Sequence, residues 1–186
     1  MAGIDEVGRG PLAGPVVAAA ILLPQDLMVE GATDSKVLSA ERREEICACI
    51  RASARAIGVG AASCREIERL NIRRATALAM ERALAALPVR PDHILVDGLP
   101  VPELGLERQT ALVGGDGRSH TIACSSIVAK VVRDHLMRRL CPRYPLYGWS
   151  RNKGYATPEH LEALRLHGPT AHHRRTFAPV EQLVLC

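Results

Sequence analysis

The sequence predicts a mixed α/β fold, a sheet flanked by helices, and three observations carry that prediction. Short apolar runs of strand length alternate with longer helical patterns along the chain. One run, residues 16–23, is continuously apolar and bounded by Pro15 and Pro24, as expected of a strand buried on both faces. Three of the runs finish in carboxylates beside glycine: Asp5-Glu6, Asp97 and Asp116.

In chain order, residues 3–7 read as a short strand entering the turn Gly8-Arg9-Gly10, and Pro11, Gly14 and Pro15 keep the next stretch irregular. Residues 33–36 form a polar loop. Ser39 caps a helix to about residue 56, with Glu41, Glu44 and Glu45 early and Arg51 and Arg55 late, as the helix dipole favours. Residues 57–61 read as a strand. Ser63 and Glu66 stand at capping-box spacing and open a short helix. A longer helix over 72–87 carries Ile72, Ala75, Ala79, Ala83 and Ala86 on one face and ends at Pro88. Residues 93–98 and 109–113 are strands. A helix over about 121–140 places Cys124, Ile127, Val128 and Val131 on its buried face. Residues 141–157 read as a long, basic, partly aromatic loop. Thr157-Pro158-Glu159 opens a helix, and Gly168-Pro169 stops it. The expected division is a catalytic domain over 1–141 and a basic loop with a helical subdomain over 142–186.

The apolar content suffices for a core, and with 3% aromatic residues that core must be built from Ala, Val, Ile and Leu. The net charge of +4 permits an anionic partner without requiring one. Basic residues gather late, and those in the loop around 143–153 are expected to face phosphate. None of the six cysteines forms a CxxC pair, so Cys47, Cys49, Cys64, Cys124, Cys141 and Cys186 read as reduced thiols, most of them buried, in a cytoplasmic protein. No signal peptide and no membrane span is expected.

The chemistry lies in the carboxylates. Strand ends of an α/β sheet gather at one rim, where ligands bind. Four carboxylates there repel one another unless cations neutralise them, and hard oxygen ligands suit Mg²⁺ or Mn²⁺. Two such ions fit phosphodiester hydrolysis. Asp97 or Asp116 alone also reads as an ordinary Asp-Gly turn residue. Asp5-Glu6 inside an apolar strand resists that reading, because buried unpaired charge is costly. The glycines of Gly8-Arg9-Gly10 let backbone approach a ligand, so main-chain groups there could read a ribose 2′-hydroxyl and Arg9 could hold a phosphate; a plain tight turn is the alternative. Tyr155, after Lys153-Gly154, either stacks on a sugar or base or packs its own loop. His172-His173 reads as structural or surface.

Taken as an ordered set, these motifs resemble ribonuclease HII. The carriers are residues 3–15 (GIDEVGRGPLAGP), Asp34-Ser35-Lys36, Leu70-Asn71-Ile72, Val96-Asp97-Gly98, Gly115-Asp116, residues 123–134 (ACSSIVAKVVRD), residues 153–157 (KGYAT) and residues 172–177 (HHRRTF). The resemblance implies an RNase H-like mixed sheet flanked by helices, with a small helical C-terminal subdomain. It implies cleavage of the RNA strand of RNA–DNA hybrids, and cutting 5′ to single ribonucleotides embedded in duplex DNA, leaving 3′-hydroxyl and 5′-phosphate ends. Asp5, Glu6, Asp97 and Asp116 would be the catalytic, metal-binding acids. Gly8, Arg9 and Gly10 would recognise the 2′-hydroxyl, Tyr155 would stack on the following deoxyribose, and Lys36 and Arg174 would touch the phosphate backbone. Gly115 stands where the family commonly has lysine, and no sliding-clamp tail is read at the C-terminus. The expected cofactor is two divalent ions, Mg²⁺ or Mn²⁺; the expected form is a monomer acting on hybrid and ribonucleotide-containing duplex. Two other readings are a non-catalytic nucleic-acid-binding module that keeps the fold, and a small-molecule phosphatase, which would need neither the basic loop nor Tyr155.

Overall fold

The structure, a computed structural model, describes residues 1–33 and 35–184. Asp34 and Cys186, named above, lie outside the described residues. Five strands form one mixed sheet: β1 (Ala2–Val7), β2 (Val16–Leu22), β3 (Ala56–Ala62), β4 (Ile94–Asp97) and β5 (Gln109–Leu112), in the order β3-β2-β1-β4-β5. β1 pairs antiparallel with β2 and parallel with β4, and β5 continues parallel beside β4. The parallel register Ile4↔Val96 places Asp5 and Asp97 side by side at the same strand ends.

The inner strands β1 and β2 are buried on both faces, with small and branched apolar side chains packed on each. In β2, Val16, Ala18 and Ala20 face one cluster that includes Ile67, Ala79 and Met80 of α2 (Cys64–Ala85). Ala19 and Ile21 face the opposite cluster, with Ile46 and Ile50 of α1 (Ala40–Ser53) and Ile127 and Val128 of α3 (His120–Leu140). All seven β2 residues are buried, as the unbroken apolar run predicts. Burying each Ile or Val side chain contributes roughly 1.5–3 kcal/mol. α3 lies close on β1: the Ser125 hydroxyl donates to the Gly3 carbonyl at 2.9 Å, and a Cβ on Gly3 would stand 2.7 Å from the Thr121 carbonyl oxygen. Glycine at position 3 is what permits that approach.

Local signals act as the sequence predicts. Ser63 and Glu66 form the reciprocal capping box. The short and long helices expected over 63–87 appear as one element with a kink at Asn71 (φ 66°), whose side chain accepts from the Arg74 N–H at 3.2 Å and so caps the second segment. Thr157 caps α5 (Pro158–His167) by accepting from the His160 N–H.

The stretch expected as one long loop over 141–157 is instead two 3-10 turns, Cys141–Arg143 and Pro145–Tyr147, followed by a single helical turn, α4 (Trp149–Asn152). Its aromatics explain the order. Trp149 is wholly buried with Tyr147, Leu12, Ala13 and Met137, and with Leu164 and Val180 from α5 and α6 (Ala178–Val184). The segment after residue 142 thus shares its core with the turn after β1 and the end of α3. No described helix is long and apolar enough to cross a membrane.

Candidate active site

β1 carries Asp5 and Glu6 to its C-terminal end, and β4 ends on Asp97. These three acids line a cleft of about 570 Å³ together with Gly8, Arg9, Gly10, Lys36 and Tyr155. Eight of the residues singled out from the sequence therefore meet in one cavity. Asp116 sits in the 3-10 turn Gly115–Gly117 after β5 and does not line that cavity. Its carboxylate is 3.8 Å from the Lys36 ammonium, which does. The same turn reaches Asp97 directly, because the Gly115 N–H donates to the Asp97 carboxylate at 2.7 Å.

Asp5 is 5% exposed, and its carboxyl is pushed up to about 8, by burial first and then by the charges of Glu6 and Asp97. The Glu6 N–H, donating at 2.6 Å, and the Ser126 hydroxyl pull it the other way and do not offset the rise. Glu6 is raised as well, chiefly by burial, although Arg9 donates to it at 3.2 Å. The cleft therefore crowds carboxyls whose ionised forms burial and mutual repulsion disfavour, and a cation among them would offset that repulsion. An all-oxygen donor set of this kind fits a hard divalent cation. Among the described residues no group of three or more His, Cys, Asp or Glu side chains is arranged to hold an ion alone.

The turn after β1 is built for close approach. Gly8 has φ 92°, and a Cβ there would collide with the Arg133 guanidinium and stand 2.9 Å from the Pro15 carbonyl. The Tyr155 ring, 43% exposed, lies across the turn from Gly10, with Cε1 4.0 Å from where a Gly10 Cβ would be. Lys153 and Gly154, both at positive φ, aim Tyr155 there.

Arg174 is a correction. It is wholly buried and cannot meet a phosphate backbone. Its guanidinium donates to the carbonyls of Gly8, Arg9 and Gly14 instead. The basic loop is corrected in part: Arg151 pairs with Glu159 at 2.9 Å, and the Lys153 ammonium turns back onto the Ser150 carbonyl. His173, 1% exposed, is structural, as its neighbours Trp149 and His160 make plain.

Sequence reasoning assigned no role to four residues that shape the cleft. Ser126, one turn after Ile122 on α3, shares a 2.8 Å hydrogen bond with Ser35 and touches Asp5. Lys130 lines the cavity and bonds Asp134 at 2.8 Å. Arg43 donates to the Ser35 and Leu38 carbonyls and so fixes the loop that presents Lys36. Arg133 is wholly buried beneath the turn. The signal was available for the α3 residues: two serines, a lysine and an arginine interrupt an apolar face at helical spacing.

A mixed five-stranded sheet with its acids at one rim is the RNase H-like arrangement, and comparison with known proteins narrows it. The sequence model of the Ribonuclease HII family matches residues 2–180. Ribonuclease HII of Geobacillus kaustophilus is 52% identical over 184 residues, covering 99% of this chain and 70% of that protein. Ribonuclease HII of Moorella thermoacetica is 52% identical over 177 residues, 95% of this chain and 85% of that one. The crystal structure of ribonuclease H2 from Pyrococcus horikoshii superposes with a TM-score of 0.83 at 25% identity, covering 98% and 95% of the two chains. The chain belongs to the ribonuclease HII family.

Proposed function

We propose that this member of the family cuts the RNA strand of RNA–DNA hybrids and also cuts 5′ to single ribonucleotides embedded in duplex DNA, leaving 3′-hydroxyl and 5′-phosphate ends. The observation that carries the reading is the shared cleft: Asp5, Glu6 and Asp97 open onto the same 570 Å³ cavity as the Gly8–Gly10 turn and the Tyr155 ring. A site for cutting and a site for reading the sugar stand side by side.

Asp5, Glu6, Asp97 and Asp116 would hold two divalent ions, Mg²⁺ or Mn²⁺. When bound, such ions neutralise the phosphodiester and favour attack by water. The chain's own residues do the rest. Main-chain groups of Gly8, Arg9 and Gly10 face the 2′-hydroxyl, which separates RNA from DNA. Arg9 rests on Glu6 in the protein alone and turns to a phosphate once Glu6 is otherwise neutralised. Lys36, 78% exposed at its side chain, takes a neighbouring phosphate. Tyr155 offers its exposed ring to the next sugar, favouring a ribonucleotide followed by DNA. The enzyme acts as a monomer in this reading.

The test is a duplex DNA carrying one ribonucleotide, incubated with and without Mg²⁺ or Mn²⁺. The expected product is a nick 5′ to the ribonucleotide with a 5′-phosphate, formed only with metal. Cleavage restricted to continuous hybrid would remove the embedded-ribonucleotide part of the reading. Hybrid binding without cleavage in either metal would favour a binding module.

A further inference from the structure

Two buried arginines hold the turn after β1, one of them, Arg133, also tying it to the tyrosine loop, and neither faces the cleft as a ligand. Arg174 donates from Nε to the Gly14 carbonyl at 3.0 Å, from Nη1 to Arg9 at 2.8 Å, and from Nη2 to Gly8 at 2.5 Å and Gly14 at 2.9 Å. Arg133 donates from Nε to Pro15 at 2.9 Å, from Nη2 to Ala13 at 3.0 Å and from Nη1 to Lys153 at 3.0 Å. Both are wholly buried. Together they hold five carbonyls of the turn after β1 and one carbonyl two residues before Tyr155. The backbone repeats the link: the Leu12 N–H donates to the Gly154 carbonyl at 2.8 Å, and the Arg174 N–H donates to the Leu12 carbonyl at 2.8 Å. The fit is tight, since a Cβ on Gly154 would stand 2.6 Å from the Ala13 oxygen.

Two guanidiniums whose hydrogen bonds go mainly to main-chain oxygens, with the Phe177 ring 5.0 Å from Arg174 as a further contact, are expensive to bury, because neither is hydrogen-bonded to a carboxylate in return for lost hydration. A lysine ammonium could not replace them: it has three donors on a flexible stem, whereas the planar guanidinium has five in a fixed fork. The fork fixes orientation as well as contact.

We propose that Arg174 and Arg133 are positioning residues that set the distance between the Gly8–Gly10 turn and the Tyr155 ring, and thereby set the preference for a ribonucleotide followed by a deoxyribonucleotide. The inference rests on the reading of the turn and Tyr155 given under Proposed function. Both elements must grip adjacent sugars at once, so a shift between them weakens junction substrates more than substrates held all along a continuous hybrid. Misplacement of about 1 Å in a positioned site can cost as much as a hundredfold in rate.

The test compares kcat/KM on a single-ribonucleotide duplex with kcat/KM on a continuous RNA–DNA hybrid for wild type, R174K, R133K, Y155A and the double variant R174K/Y155A. R174K and R133K keep the charge and lose the fork. The junction-to-hybrid ratio is expected to fall about tenfold or more in each, with the larger part of the loss on the junction substrate. In the Y155A background R174K should lower the ratio no further, because the spacing it sets no longer matters. Equal losses on both substrates, or the same tenfold fall with and without Tyr155, would overturn the proposal and leave the arginines as ordinary structural groups. If R174K fails to fold by circular dichroism, R133K carries the same comparison, since it alone touches the Lys153 carbonyl. A wild-type enzyme that prefers the hybrid would overturn the junction reading of Tyr155, whereas a junction-preferring wild type with unaffected variants would overturn the clamp alone.

Discussion

The Asp97 carboxylate accepts a hydrogen bond from the Gly115 N–H at 2.7 Å, one residue before Asp116. Two acids that lie 19 positions apart in the chain are thereby joined at one strand-end rim, through the parallel pairing of β4 and β5. A Cβ on Gly115 would stand 2.7 Å from Ile122 Cδ1 and 3.2 Å from that same Asp97 oxygen. Gly115→Ala is therefore expected to push Asp97 off its donor. Overpacking costs about 1–3 kcal/mol, and cleavage should fall more than stability does. Melting and steady-state cleavage measured on one preparation check this; unchanged turnover with a lowered Tm would separate Gly115 from the site.

The two glycines flanking Arg9 should behave differently. Gly8 sits at φ 92°, against the Arg133 guanidinium and the Pro15 carbonyl, so Gly8→Ala combines backbone strain with a clash and should destabilise by about 2 kcal/mol or more. Gly10 has only the Tyr155 ring nearby, 4.0 Å from the added methyl. Gly10→Ala should fold with nearly wild-type Tm, within about 2 °C, while losing ribonucleotide cleavage. Calorimetry beside the cleavage assay distinguishes them, and a well-folded, fully active Gly10→Ala enzyme would contradict the close approach of substrate at that turn.

Histidine protonation should set the acid limit of the fold. Thr170 N–H donates to His173 Nδ1 at 2.9 Å, so His173 carries its proton on Nε2, which faces His160 Nε2 at 3.1 Å. That His160 nitrogen also accepts from Trp149 Nε1 at 3.1 Å, and His160 Nδ1–H donates to the Tyr155 carbonyl at 2.8 Å. The chain of bonds requires two neutral rings. His173 is pushed down to about 3, by burial first and then by His160 and His172. An unfolded histidine takes a proton near 6.5, so between about 3 and 6.5 the unfolded chain binds more protons. This contribution is full above that window and is lost as pH falls through it. Asp5 binds its proton more tightly in the folded chain over the same range and opposes this loss, so the His173 part is read as a difference: the Tm advantage of wild type over His173→Gln should shrink by about 5 °C between pH 7 and pH 5. A wild-type advantage that is the same at both pH values would contradict the assignment.

Asp5 works against the fold that holds it. Its folded carboxyl, raised to about 8 mainly by burial, costs stability as pH rises through the ordinary carboxylate value. Metal-free Asp5→Asn is expected to be more stable than wild type at pH 7, by roughly 1–3 kcal/mol, and added Mg²⁺ should raise the Tm of wild type more than that of the variant. Thermal denaturation with and without metal checks both. A less stable Asp5→Asn protein would mean that the acid is compensated in the metal-free enzyme.

The legible part of the sequence was whatever local physics enforces. Charge placed inside an apolar strand marked Asp5 and Glu6. Ser63 with Glu66 marked a helix start, and the unbroken run after Pro15 marked the strand buried on both faces. Arg174 was illegible because its burial is set by carbonyls some 160 positions upstream, whereas its neighbours in sequence are polar. Residues 141–157 looked irregular because their order comes from Trp149 and Tyr147 packing on Leu12 and Ala13, contacts that no local pattern announces. Ser126 and Lys130 were visible as polar positions on α3, but only the register of α3 against β1 shows that they face Asp5 and the cleft.

The central claim is that the acids of β1 cut where the adjoining turn reads a ribose. The most direct measurement is cleavage of a duplex carrying one ribonucleotide, in Mg²⁺ and in Mn²⁺, by wild type and Asp5→Asn, with binding of the same duplex measured in parallel. The account predicts a metal-dependent nick 5′ to the ribonucleotide for wild type, and for Asp5→Asn retained binding with cleavage reduced at least about a thousandfold. An Asp5→Asn protein that cuts within about tenfold of wild type would contradict it.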